Sequence, residues 1–229
     1  LPGTTSGTFS GNGAGLTGVS ASYLTVTPKQ VALLKWRPST ANHTFNLGHF
    51  VSAVCFDGTS IWVSSFDGLV KLDVSNGAVL ATYNNSGIAM CYDGANLWLA
   101  SGNNVYTLSL ASGTVSSDHP VGTTPTALCF DGANVWVVNG GSNNVMRLNA
   151  GNGSVINTYS VGASPSSICF DGTYVWVTNS GDSTVSRIDV TSGSITSYTL
   201  TGSTPQGVCY DGSSIWVVDQ AQLSVHKLN

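Results

Sequence analysis

Cys129-Phe130-Asp131-Gly132-Ala133-Asn134-Val135-Trp136 is one of five copies of a single phrase. The others are Cys55-Phe56-Asp57-Gly58 with Trp62, Cys91-Tyr92-Asp93-Gly94 with Trp98, Cys169-Phe170-Asp171-Gly172 with Trp176, and Cys209-Tyr210-Asp211-Gly212 with Trp216. Each cysteine precedes its tryptophan by seven residues, and successive cysteines are 36, 38, 40 and 40 residues apart. Self-similarity at this period marks a repeat architecture, in which one unit cannot bury its apolar face alone and stacked neighbours build the core. A side chain present five times is therefore read as part of the frame, and function is sought where the repeat breaks.

Each repeat reads as four short strands. In the fourth copy, residues 165–170 are an apolar run that stops at Asp171-Gly172. Asp-Gly between strand-forming runs is a strong hairpin signal, because glycine accepts positive φ at little cost. Val175-Trp176-Val177 is the second strand, and Asn179-Ser180-Gly181-Asp182 is a turn. Val185, Arg187 and Asp189 then alternate with Ser186, Ile188 and Val190, and Ser192-Gly193 turns the chain into a fourth strand, residues 195–200. No segment sustains a helical period, and Val, Ile, Thr, Tyr and Trp fill the runs. Four antiparallel strands every 36 to 40 residues predict an all-β fold, a five-bladed β-propeller.

The segments Ile61-Trp62-Val63-Ser64, Val135-Trp136-Val137-Val138-Asn139, Val175-Trp176-Val177-Thr178-Asn179 and Ile215-Trp216-Val217-Val218-Asp219 resemble the Ile-Trp-Val-Thr-Asn phrase of the YVTN/NHL-type propeller family. The resemblance spans about residues 44–229 and implies the propeller fold. It implies no single function, since that family holds enzymes, binding modules and surface proteins.

The fifth copy has a first strand (206–210), a second (215–219) and a third (224–228), and the chain then stops at Asn229. Thr44-Phe45-Asn46-Leu47-Gly48 matches Thr158-Tyr159-Ser160-Val161-Gly162, the fourth strand of the third repeat. Residues 44–47 are therefore expected to close the last blade beside residues 224–228, leaving few open strand edges. The match continues upstream: residues 31–48 align without a gap to 145–162, so residues 31–36 resemble a further third strand. That is one strand more than a closed five-bladed ring holds. It packs on the rim of a blade, or it pairs with another subunit by strand addition.

The expected domains are an extended Gly/Ser/Thr-rich arm, residues 1–30, and the propeller, residues 31–229. The arm carries no charge before Lys29, and residues 7–19 resemble a short module of phage tail-fibre and bacterial surface-fibre shafts. Docked on a neighbouring propeller, it would offer Phe9, Leu16, Val19, Tyr23, Leu24 and Val26 as subunit contacts, with Val31, Leu33, Leu34 and Trp36 from the surplus strand. A start at Leu1 fits removal of a signal peptide, so a secreted, extracellular or cell-surface protein is expected. Charged residues are only 8%, and Lys plus Arg number seven against a net charge of −4. Nucleic-acid binding is not expected without a basic stripe, nor membrane insertion without a spanning segment.

The five cysteines sit at one equivalent place per repeat. Symmetry holds neighbouring thiols beyond the roughly 7 Å between bridgeable Cα atoms, so all five are expected free and buried. Their spacings match no zinc site, and no metal or cofactor is expected. The repeated tryptophans read as inter-blade packing, and the Asp57, Asp93, Asp131, Asp171 and Asp211 ring as turn residues. His43, His49, His119 and His226 belong to no motif, and no catalytic triad order, P-loop or dinucleotide fingerprint is present. The seven-bladed virginiamycin lyases of this broad group use an acidic and histidine metal site, for which no matching cluster is found. The chain is thus expected to be a non-enzyme. The favoured reading is a structural subunit of a head-to-tail homopolymer. The alternative is a carbohydrate- or ligand-binding, lectin-like module. The five turns that share one rim (64–68, 101–104, 139–144, 179–183 and 219–222) differ in length and composition, unlike five equivalent binding sites.

Overall fold

The computed structural model describes residues 44, 46–47, 50–65, 67–116 and 118–228, and every regular element among them is a strand. The first sheet holds β1 (Val51–Phe56), β2 (Ser60–Ser65), β3 (Gly68–Asp73) and β4 (Val79–Tyr83). The second holds β5 (Ala89–Tyr92), β6 (Asn96–Ser101), β7 (Asn104–Ser109) and a two-residue β8 (His119–Pro120). The third is β9 (Pro125–Phe130), β10 (Asn134–Asn139), β11 (Asn144–Asn149) and β12 (Val155–Ser160). The fourth is β13 (Pro165–Phe170), β14 (Tyr174–Asn179), β15 (Thr184–Asp189) and β16 (Ile195–Thr199). The fifth has three strands, β17 (Pro205–Tyr210), β18 (Ile215–Asp219) and β19 (Ser224–Leu228). All pairings are antiparallel between sequence neighbours, which is the meander expected from the turn signals. These five sheets lie in one compact unit, Asn46–Asn229.

The turns explain the register. At Asp131-Gly132 the Asp131 N–H donates to Asn134 O at 3.0 Å, and Gly132 sits at φ 99°, where a side chain would be strained. The hairpin then pairs Trp136 with Cys129 and Val135 with Phe130. Equivalent turns place Trp62 opposite Cys55 and Trp176 opposite Cys169.

Because successive side chains point to opposite faces of a strand, each sheet has two apolar faces. One, here the trailing face, meets the next sheet; the leading face meets the previous one. Trp136, Val138 and Val145 of the third sheet pack on Ile168, Val175, Val177 and Ile188 of the fourth. Trp98, Ala100 and Val105 of the second meet Leu128, Val135, Val137 and Leu148 in the same way. Trp62 and Leu69 meet Met90, Leu97, Leu99 and Leu108, and Trp176 and Val185 meet Ile215 and Val217. The core is thus four equivalent slabs between five sheets. Fully burying one such side chain contributes about 1.5–3 kcal/mol.

The expected closing strand is not formed among the described residues. Thr44, Asn46 and Leu47 lie outside any strand, and β19 is the last strand of its sheet. A tight glycine turn ties the third strand to the fourth in the first four sheets (Gly77, Gly113, Gly153 and Gly193, all at positive φ). In the fifth sheet no fourth strand follows β19 among the described residues. The arm, residues 1–30, and the surplus strand, 31–36, lie outside the described residues.

Candidate functional site

The most regular polar feature joins the repeated aspartate to the repeated tryptophan. Trp136 Nε1–H donates to Asp131 Oδ2 at 2.7 Å, while Asp131 Oδ1 accepts the N–H groups of Ala133 at 2.8 Å and Asn134 at 2.6 Å. The same bond runs from Trp62 to Asp57 (2.7 Å), Trp98 to Asp93 (2.6 Å), Trp176 to Asp171 (2.6 Å) and Trp216 to Asp211 (2.8 Å). Arg147 lies over the Trp136 ring at 5.2 Å, with Lys71 over Trp62 at 5.1 Å and Lys227 over Trp216 at 5.6 Å. A ring from the fourth strand or its equivalent faces four of the indoles: Tyr83 on Trp62, His119 on Trp98, Tyr159 on Trp136 and Tyr198 on Trp176. At Trp62, Trp136 and Trp176 the Asp–Trp bond, a cation and a facing ring meet on one indole, so these residues are frame.

Burial alone would raise the Asp57, Asp93 and Asp131 carboxyls, but the indole and backbone donors outweigh it and hold them below the usual carboxylate range. At Asp211 the Trp216 indole is the largest influence, and the shift is again downward. A carboxylate depressed on folding stabilises the protein above its unfolded pKa, about 3.9, and loses that contribution as pH falls through the folded value. Thermal unfolding followed by circular dichroism should show a melting temperature nearly level from about pH 7 to 5 and falling steadily below about pH 4. A flat profile to pH 2 would mean the Asp–Trp bonds carry no stability.

Among the described residues the polar side chains of the rim turns bond within their own turns. Asn139 donates to Asn144 Oδ1 at 2.8 Å, Asn179 to Thr184 Oγ1 and Ser186 Oγ at 2.9 Å each, and Asp219 pairs with His226 Nε2 at 3.0 Å. Each of these groups serves its own turn. Among the described residues no group of His, Cys, Asp and Glu could hold a metal ion. His43 and His49 lie outside the described residues. A shallow cleft between the fourth and fifth sheets is lined by Asp171, Tyr174, Trp176 and Tyr210, but its aspartate and indole already bond each other.

The repeat breaks at the two ends of the row. On the leading face of the first sheet Val54 is 68% exposed, where its equivalents Leu128 and Ile168 are each 8%. On the trailing face of the fifth sheet Val218 and Val225 are 49% and 58% exposed, where Val138 and Val145 are fully buried. Among the described residues no ring stacks on Trp216, and β19 has a neighbour on one side only. The ten contact candidates in the arm and surplus strand (Phe9, Leu16, Val19, Tyr23, Leu24, Val26, Val31, Leu33, Leu34 and Trp36) lie outside the described residues.

The thiols follow the same division. All five are free, but they are not all buried: Cys91 is buried, Cys55, Cys129 and Cys169 are half-buried, and Cys209 is exposed. The expectation fails at Cys209 because that face has no following sheet to cover it. Burial, with neighbouring thiols and aspartates adding to it, pushes Cys91 and Cys129 far up and Cys169 up to about 12. In dilute native protein a maleimide should label Cys209 first, and the buried Cys91 only after unfolding. Rapid labelling of Cys91 would contradict the slab packing.

No model of a known protein family matches the sequence, and no curated protein sequence does. Solved structures do match the fold. Streptogramin B lyase is 17% identical with a TM-score of 0.62, over 78% of this chain and 68% of that one. Hydrazine synthase of Kuenenia stuttgartiensis is 20% identical with a TM-score of 0.66, over 81% and 59%. The computationally designed Ika8 protein is 15% identical with a TM-score of 0.67, over 78% and 57%. The chain thus spans little more than half the length of the last two. With the five antiparallel sheets, these likenesses establish a β-propeller-like fold, and at such identities the fold alone.

Proposed function

We propose that the chain is a non-catalytic structural protein, a subunit of a self-assembling extracellular fibre or surface layer in which the N-terminal segment of one copy engages the propeller of another. The observation that carries this reading is the break in the repeat: among the described residues four sheets have four strands and the fifth has three. The phrase of the missing strand stands at residues 44–48, ahead of the first sheet. The finer architecture proposed is five blades of YVTN/NHL-like repeats, the last completed by residues 44–47, with a tail-fibre-like arm at residues 1–30. Low charge supports the reading, since the surface does not rely on repulsion to stay monomeric. The likeness to streptogramin B lyase brings no lyase activity with it.

Light scattering behind size-exclusion chromatography tests it. The intact chain should run as oligomers that grow with concentration, and a chain lacking residues 1–47 should be monomeric with unchanged sheet content by circular dichroism. An intact chain that stays monomeric at high concentration would overturn the reading and leave the ligand-binding module as the better one.

A further inference from the structure

The exposed faces at the two ends of the row are the two halves of one interface. We infer that they dock between copies: the trailing face of the fifth sheet receives the leading face of the first sheet of a second copy, and residues 44–47 of that same second copy add the fourth strand beside β19. This rests on the assembly reading above and names its contact.

The internal slabs supply the pattern. Each joins a trailing set, such as Trp136, Val138 and Val145, to a leading set, such as Ile168, Val175 and Val177. The equivalent trailing residues of the fifth sheet are Trp216, Val218 and Val225, and the equivalent leading residues of the first are Val54, Ile61 and Val63. Both sets are apolar, and both are more exposed than their counterparts inside the row. The same contact made four times within the chain is therefore available a fifth time, continuous in kind with an established interface. Isolated apolar residues at a surface are ordinary, but a contiguous face of this composition marks an interaction site.

The tether identifies the partner. Only residues 48–50 separate Leu47 from β1, a reach of about 10–15 Å at most for a fully extended chain. In the third and fourth sheets a linker of similar length carries the fourth strand to the first strand of the adjoining sheet (β12 to β13, and β16 to β17). Whichever copy donates residues 44–47 to β19 must accordingly place its own first sheet next to that fifth sheet. Were the donor the same copy, Val54 and Val225 would be covered by each other's sheets, and both are exposed. The donor is a second copy of this chain.

One polar detail completes the contact. Arg147, stacked over Trp136, donates from Nη1 to Val190 O of the following sheet at 2.8 Å. Lys227 stands over Trp216 as Arg147 stands over Trp136, and Val74 follows Asp73 as Val190 follows Asp189, so Lys227 is placed to donate to Val74 O of the second copy. The contact joins unlike surfaces and leaves each copy with one of them free, so it propagates head to tail unless the rotation closes a ring.

The test uses full-length protein and two variants that alter opposite faces, Val54→Asp and Val225→Asp. Both positions are exposed, so each variant should fold, checked by circular dichroism. Native chain at increasing concentration should assemble and slow the alkylation of Cys209 by roughly tenfold or more. Each variant alone should be monomeric, with Cys209 reactive. Mixed in equal amounts they should form dimers and nothing larger, because Val54→Asp keeps a sound trailing face and Val225→Asp a sound leading face. If both variants assemble like the native chain, this contact is wrong while the fibre reading survives. A native chain that is monomeric at every concentration overturns both; Cys209 shielded at every dilution would then mean that the faces close on each other within one copy.

Discussion

Trp136→Ala should destabilise the protein by about 3–5 kcal/mol, the range for deleting a fully buried large aromatic side chain. Trp136 is wholly buried in the slab between the third and fourth sheets. It stacks on Tyr159 at 5.3 Å and bonds Asp131 at 2.7 Å. Removal opens a cavity that neither strand-tied sheet can collapse into, and it strips Asp131 of its indole donor. The control is Trp216→Ala, which keeps the chemistry but changes the setting: Trp216 is half-exposed on the uncovered face. Its loss in dilute protein should cost roughly a third as much, since less apolar area returns to water. Urea unfolding of both variants measures the difference. Equal losses would show that the indole stabilises its own hairpin alone and that burial between sheets contributes nothing.

Asp131→Ala should cost about 2–4 kcal/mol, because a buried network that loses its acceptor leaves several donors unpaired. The carboxylate accepts from Ala133 N, Asn134 N and Trp136 Nε1, and Arg147 Nη2 stands 4.0 Å away. Asp131→Asn should fall between the variant and the native protein. Its carbonyl oxygen can still accept the turn N–H groups, while its amide N–H₂ meets the indole N–H donor to donor. Equilibrium denaturation at pH 7 and again near pH 3 separates the terms: the gap between native protein and Asp131→Ala should narrow in acid, where the unfolded chain's carboxylate takes up a proton that the native one, held below the usual range, resists. A gap that does not depend on pH would assign the loss to shape and not to charge.

Most of the frame was legible in the sequence because its signals are local. Asp131-Gly132 sets a hairpin by its own φ requirement, and Trp136 then falls opposite Cys129 with no information from elsewhere in the chain. The Asp–Trp bond was not read, although both residues stand in the repeated phrase. They are five positions apart, on the turn and on the returning strand, and only the folded hairpin brings the indole N–H over the carboxylate. Cys209 was misread for a different reason. Symmetry assigns equivalent residues the same surroundings, but whether a face is covered depends on the sheet that follows, and the phrase around Cys209 holds no record of that. The closing strand was assigned by the same symmetry: the match of residues 44–48 to 158–162 shows what the segment is suited to pair with, not which copy it pairs with.

Each slab forms between sequence-adjacent sheets, and each sheet is a meander of neighbouring hairpins. Stability in such an array is approximately a sum of unit and nearest-neighbour terms. A duplication of about forty residues anywhere in the row would insert one more sheet and one more slab without disturbing the rest. The length of the row is in that sense an evolutionary variable separate from the design of its parts. Related genes could differ in copy number while keeping the same phrase, and a recombination that joined two such genes in frame at equivalent cysteines would still encode a row of sheets that pack.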